Sequence, residues 1–154
     1  QYLIELSERG LSPEEAGQLP VFMHTVNDCE RFSDHAVNIV ELAERKDQLR
    51  VSISEDAQNE LQEMLERLGQ MVTEVSQALA QKDRNAAKRA LEIEDYLNHR
   101  QIELQQQHVR RLNHGECSMQ AGLLFLDFVD NMEEMGDKLA NIAEAVISGL
   151  RWER

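Results

Sequence analysis

The sequence predicts an all-α protein, an antiparallel up-down helical bundle. Three observations predict it. Glu, Gln, Leu, Ala and Arg dominate the composition, aromatics make up only 5%, and there are 2 Pro and 7 Gly, a mixture that favours helix over sheet. Apolar residues recur at spacings of three and four through long stretches. The links between those stretches are short, and short links between long helices force antiparallel neighbours. A chain of 154 residues with 42% hydrophobic content is enough for one domain with a core.

The segment Tyr2-Leu3-Ile4-Glu5-Leu6 reads as the end of a helix that Gly10 terminates. A first long helix runs from about Pro13 to Gln48. Ser12 caps it, Pro13 occupies its first position and Glu15 completes a capping box. Pro20 should kink this helix or mark its true start, because proline removes one backbone donor. The second helix spans about Glu55 to Gln81 behind Ser54, with Leu61, Met64, Leu65, Leu68, Met71, Val72, Val75 and Leu79 as its apolar stripe. The third runs from about Arg84 to Leu112 behind Asp83, with a weaker stripe of Leu91, Leu97, Ile102, Leu104, Val109 and Leu112. The fourth runs from about Met119 to Leu150, capped by Ser118.

Charge and cysteine usage narrow the function. With 16 Lys+Arg against 29 Asp+Glu, the formal net charge is −13. Phosphate backbones and anionic membrane surfaces repel such a chain, so nucleic acid is not expected as a partner. Cations and basic surfaces suit it. Cys29 and Cys117 show no metal spacing and no disulfide framework, which fits a reducing compartment. The longest apolar run, Gly122 to Leu126, is far too short to span a bilayer. The chain opens on Gln1 without a signal-peptide pattern and reads as an excerpt of something longer.

One feature rises above composition. When the first long helix is slid onto the fourth, Phe22 falls on Phe125, Val26 on Val129, Glu30 on Glu133 and Asp34 on Asp137. Further along, Asn38 falls on Asn141, Ile39 on Ile142 and Glu41 on Glu144. A repeat of this kind signals a duplicated supersecondary unit. On a helical wheel Asn27, Glu30, Asp34, Asn38 and Glu41 share a sector of about 80°. The matching set on the fourth helix does the same. Val26, Cys29, Phe32, Ala36, Val37, Ile39, Val40 and Ala43 form the adjacent apolar face, expected in the core.

Each of the two helices therefore carries Glu-x-x-x-Asp, with both carboxylates one turn apart on one side. Like charges so placed repel by a few tenths of a kcal/mol. A cation between the oxygens would remove the repulsion, and helix-borne carboxylates facing into bundles are a recurrent route to such sites. In a chain with 29 acids, one such pair arises readily by chance, so the repetition carries the weight.

At these residues the chain resembles a known family. Glu30-Arg31-Phe32-Ser33-Asp34-His35-Ala36-Val37-Asn38-Ile39 is similar to the signature of PhoU-type helical domains. Asn131-Met132-Glu133-Glu134-Met135-Gly136-Asp137 and Asn141-Ile142-Ala143-Glu144 resemble its second copy. Tyr2 to Asn27, together with Leu112-Asn113-His114-Gly115-Glu116-Cys117-Ser118 and Ala121-Gly122, resembles the cytoplasmic PhoU-like domain of bacterial sodium-dependent phosphate cotransporters.

The resemblance implies one domain over residues 1–154, with 1–48 the end of a truncated first repeat and 54–151 a complete second three-helix repeat. It implies a regulatory role in phosphate uptake on the cytoplasmic side of the inner membrane, without enzymatic activity. The transmembrane portion of the same transporter would be its partner. A free-standing PhoU-type regulator of phosphate signalling is the alternative. In the family such acids ligate iron or zinc, and the matching positions are Glu30, Asp34, Glu133 and Asp137. Glu94 and Asp95 match acids of a middle helix. The second copy departs at Glu134 and Lys138, where the first has Arg31 and His35, and Asn98 stands where an acid is frequent. A carboxylate-bridged metalloenzyme would need Glu-x-x-His pairs, and the chain has none.

Among the remaining residues, His35 is expected to face solvent, His108 to pack or lie on the surface, and Cys29 to be inert core. Met64, Met71, Met132 and Met135 are expected to fill the core. Trp152 is expected to cover the bundle end or fray. With two helices of the first repeat absent, uncovered apolar surface predicts a homo-oligomer.

Overall fold

The computed structural model of the chain describes residues 12–149. Within them, α1 (Pro13–Gln48), α2 (Glu55–Gln81), α3 (Arg84–Asn113) and α4 (Met119–Ser148) follow one another without an intervening strand. The predicted starts hold because local chemistry fixes them. Ser12, Ser54, Asp83 and Ser118 each accept a first-turn backbone N–H at the N-cap. At Ser12 the box closes both ways: Glu15 N–H donates to Ser12 Oγ and Ser12 N–H donates to Glu15 Oε2 at 2.8 Å. α1 continues through Pro20. The expected Tyr2–Leu6 helix and Trp152 lie outside the described residues.

α2, α3 and α4 form a three-helix unit, and α1 packs on α4 but on no other described helix. The core of the unit is built from Met64, Met71, Leu97, Leu104, Phe125 and Val129, all essentially without solvent exposure. The expected core methionines are there, Met132 and Met135 included. Of the predicted stripes, Leu65, Ile102 and Val109 lie exposed. An ion-pair row ties the outer edges of α2 and α3: Arg111 grips Glu60 at 2.9 Å, Arg100 meets Glu63 at 3.2 Å and Arg89 meets Glu74 at 2.6 Å.

α1 buries one narrow stripe. Val21, Thr25, Asp28, Phe32, His35, Ile39, Leu42 and Lys46 run along its centre at alternating spacings of four and three, with Gln18, Leu19, Phe22 and Ala36 half-buried beside them. That period keeps a single seam facing one neighbour. The predicted apolar face of α1 is thus only partly core. Val26, Val37 and Val40 are 57%, 55% and 58% exposed, and Cys29 is exposed as well. Their repeat counterparts Val129, Ala140 and Ala143 are 0%, 8% and 0% exposed, because α2 and α3 cover α4 and no described helix covers α1 in the same way.

The repeat has a geometric meaning. Asn141 Nδ2 donates to Asp28 Oδ1 at 3.3 Å, and Asn38 Nδ2 donates to Asn131 Oδ1 at 3.1 Å. Asn38 is the repeat counterpart of Asn141, and Asp28 that of Asn131. Each hydrogen bond is therefore the image of the other, and α1 and α4 cross antiparallel about an approximate two-fold axis.

Candidate functional site

The antiparallel register of α3 and α4 is set by side-chain contacts along its length. His108 lies against Gly122, Gln101 and Gln105 reach Asp130, Leu97 packs on Gly136, and Arg84 donates to the carbonyl of Ile147. In that register Asn98 falls level with Glu133, and Glu94 with Asp137. Glu94, Asn98, Gln101 and Gln105 form one half-buried polar stripe on α3, and Asp130, Glu133 and Asp137 form one on α4. The amides of Gln101 and Gln105 both donate to Asp130 Oδ1, at 2.9 and 3.1 Å, and join the two stripes. Asn98 Nδ2 donates to Glu94 Oε1 at 2.6 Å, while Asn98 Oδ1 is buried with no hydrogen-bond partner.

Electrostatics single out Glu133. Burial pushes its carboxyl up to about 7, and the charges of Asp137, Glu134 and Asp130 add to the shift. Its sequence neighbour moves the other way. Glu134 lies below the usual carboxylate range, held chiefly by its hydrogen bond to Lys138, whose Nζ is 2.8 Å from Glu134 Oε2. The two neighbouring carboxyls are driven apart by their surroundings, one by burial and like charges and the other by a lysine partner. Glu134 locks the helix seam, and Glu133 is left as a proton-sensitive acid among like charges.

The departures of the second copy from the first now have a physical reason. His35 turns into the α1–α4 seam and not to solvent as expected. Its Nδ1 donates to Asn131 Oδ1 at 2.9 Å and its Nε2 lies 3.8 Å from Glu134. Had Glu134 and Lys138 repeated Arg31 and His35, both His35 and Lys138 would have lost the Glu134 carboxylate as a partner.

The structure gathers some of the sequence-derived acids and not others. Glu133, Asp137 and Glu94 share the α3–α4 polar seam. Asp95 points away from it, with Oδ1 3.5 Å from the ring of the exposed His99. Glu30 and Asp34 are exposed on α1, on the side that no described helix covers. Among the described residues, no three His, Cys, Asp or Glu side chains converge closely enough to hold a metal ion. Glu133 and Asp137, one turn apart and both half-buried, stand on α4 opposite the Glu94–Asn98 stretch of α3.

The pKa of Glu133 has a measurable consequence. Its folded-state value, about 7, lies above the ordinary 4.5, so the folded metal-free protein holds this proton more tightly than the unfolded chain. The cost of ionising Glu133 is absent below about 4.5, grows as pH rises, and is complete above about 7. Glu133→Gln is expected to stabilise the metal-free protein at pH above 7 by on the order of 1 kcal/mol after solvent screening, and to change little near 4.5. Urea unfolding at the two pH values checks this.

The PhoU domain family model matches residues 61–146, more than half of the chain. The chain belongs to the PhoU domain family. The match spans the α3–α4 seam and most of the three-helix unit, so the expected all-α PhoU-like bundle is the observed one. The chain is also 26% identical over 125 residues to the phosphate-specific transport system accessory protein PhoU homolog 1 of Thermotoga maritima. That alignment takes in 79% of this chain and 51% of the relative, so the chain spans about half the length of the curated relative it matches. No solved structure matches the chain. No described helix is long and apolar enough to cross a membrane.

Sequence reasoning put Glu133 and Asp137 forward as candidates through the repeat. It missed the pairing of His108 with Gly122. The available signal was a glycine standing at the head of an apolar run, Leu123 to Leu126, where close approach of a neighbour is the usual reason.

Proposed function

We propose that this PhoU domain is a regulatory, non-catalytic module of a sodium-dependent phosphate cotransporter. It lies on the cytoplasmic side of the inner membrane and modulates phosphate uptake through the transporter's own transmembrane portion. The family match over residues 61–146 carries the link to phosphate transport. The similarity of the segments around Leu6–Ser12, His24–Asp28 and Leu112–Ser118 to cotransporter tails supports the attachment. A free-standing PhoU-type regulator is the second reading, and the Thermotoga maritima accessory protein favours it.

The approximate two-fold relation between α1 and α4 supports reading residues 1–48 as the end of one repeat and 54–151 as a second. On that reading, two upstream helices equivalent to α2 and α3 cover Val26, Val37 and Val40 in a longer chain. In the chain of 154 residues a second copy covers that face, and light scattering at high concentration should find a homo-oligomer. A monomer would contradict this.

Glu133 and Asp137, with Glu94 and Asn98 across the seam, are the residues that would hold a divalent ion, iron or zinc. Such an ion would supply positive charge where carboxylates now repel. Ion binding that differs between two packings of α3 on α4 would bias the packing, which the membrane portion reads. The test is phosphate uptake by cells whose transporter carries Glu133→Ala with Asp137→Ala. Altered uptake or altered response to external phosphate is expected, and unchanged uptake would overturn the regulatory role of the seam. The coding sequence upstream of Gln1 separates the two readings: several apolar spans support the cotransporter, and a soluble repeat without spans supports the free-standing regulator.

A further inference from the structure

α1 and α3 both pack on α4 and not on each other. Between them one strip of α4 stays partly open along its length, from Met119 through Leu123, Leu126 and Asp130 to Glu133 and Asp137. Alternating spacings of four and three keep these residues on one side of the helix.

The half of the strip nearer the α3–α4 link is apolar. Met119 and Leu123 are 66% and 57% exposed, and on the facing edge of α3 Val109 and Ile102 are 54% and 53% exposed. The helix register brings the two rows together. His108 lies against Gly122, and Gln105 donates to Asp130. Val109 therefore stands level with Leu123, and Ile102 with Asp130. Gln105 shares their side of α3 and ties that row to the strip. Half-buried Leu112 and Leu126 join the exposed side chains into one surface.

The distribution of charge around this surface is one-sided. α3 turns Arg89, Arg100 and Arg111 towards carboxylates of α2 and shows the strip Ile102, Gln105 and Val109 instead. α4 has no Lys or Arg before Lys138, and Lys138 is held by Glu134 at 2.8 Å. Gln101 and Gln105 both donate to Asp130 Oδ1, which leaves Oδ2 open to a donor from outside. Asp127, exposed one turn from Leu123, borders a cleft with Glu41 and Arg45 of α1. Arg31 and Arg45 are the cations along the α1 edge of the face. An apolar centre with an acidic border is the mirror of a basic amphipathic helix, which docks through apolar anchors on one side.

Other occupants fit less well. An anionic bilayer would bring like charge to Asp127 and Asp130, and so would a second copy of a chain whose net charge is −13. Upstream helices equivalent to α2 and α3 would pack on α1 as those two pack on α4, and the strip is open with α2 and α3 in place.

We propose that the strip docks a basic amphipathic helix, its apolar side on Val109, Leu123 and Met119 and its Lys or Arg side chains on Asp127 and Asp130. The source of that helix rests on the cotransporter reading: cytoplasmic segments of membrane proteins carry an excess of Lys and Arg, so it belongs to the transporter's membrane portion.

The test is fluorescence anisotropy of the full chain with a labelled synthetic peptide of about 18 residues, roughly five helical turns, carrying Leu at spacings of three and four and Lys elsewhere. A Leu/Glu peptide of the same pattern and a Leu/Lys peptide of scrambled order are the controls. Only the patterned Leu/Lys peptide should bind. Val109→Gln with Leu123→Gln should weaken it about tenfold through lost apolar burial. Asp127→Asn with Asp130→Asn should weaken it several-fold at low salt and little at high salt. Val26→Gln with Val37→Gln, on the other apolar face, should change it little. Equal binding of the scrambled peptide, or binding that neither pair of substitutions on the strip moves, would overturn the proposal. So would reduced self-association of the Val109→Gln/Leu123→Gln chain in light scattering, which would make a second copy the occupant. The coding sequence upstream of Gln1 tests the source separately: a bound peptide with no apolar spans encoded there would uphold the site and overturn its source.

Discussion

Gly122→Ala is expected to destabilise the protein by about 1–3 kcal/mol, the usual range for overpacking a filled core. The sign is informative. Replacing a glycine within a helix with alanine normally stabilises by up to about 1 kcal/mol, and Gly122 is the fourth residue of α4. Here the added methyl would lie 2.3 Å from two atoms of a buried imidazole, so the ring must leave its place or the two helices must part. The effect should be coupled to His108. In a double-mutant cycle with His108→Ala, the alanine at 122 should cost at least about 1 kcal/mol less than it does beside the histidine. Urea unfolding of the four proteins checks it. Stabilisation by Gly122→Ala in the wild-type background would contradict the close approach of α3 and α4 at this end.

The largest effect is expected from a matched pair of substitutions in the repeat. Val129→Asp places a carboxylate at a position with 0% exposure, among apolar side chains. An unpaired buried charge costs about 4 kcal/mol or more, a large part of a domain stability of about 5–15 kcal/mol. The variant should be largely unfolded or precipitate. Val26→Asp, at the counterpart position with 57% exposure in a single chain, should shift the stability of dilute, dissociated protein by about 0.5 kcal/mol or less and weaken the association of copies at high concentration. Circular dichroism melts of both variants give the comparison. Equal and large losses would mean that a second copy or another segment covers α1 in solution, and the size of the Val26→Asp loss would report that cover.

These contrasts show where sequence reasoning reaches its limit. Helix starts were legible because a cap is a local event: Ser12, Ser54, Asp83 and Ser118 need only their own first turns to act. The equivalence of α1 and α4 was legible as a repeat, since the same residue types recur at the same wheel angles, but their packing on each other was not. Which apolar face gains a neighbour was not legible. Val26 and Val129 occupy equivalent places on equivalent helices, and only the presence of α2 and α3 distinguishes them. The same missing information misplaced Cys29, which lies on the uncovered side, and His35, which the crossing of α1 over α4 turns towards Asn131 and Glu134. Within the candidate site, Glu133 and Asp137 could be read from their spacing. The contributions of Asn98, Gln101 and Gln105 could not, because they depend on the register between two helices.

In the proposed function the α3–α4 seam is the cation-facing half of the duplicated acidic pattern. Metal content by elemental analysis, after loading with iron or zinc and gel filtration, tests this most directly in four proteins. These are the wild type, Glu133→Ala/Asp137→Ala, Glu30→Ala/Asp34→Ala and Asp95→Ala. Loss of bound metal from the Glu133/Asp137 variant alone is the predicted result. Equal metal content in the wild type and that variant would contradict it.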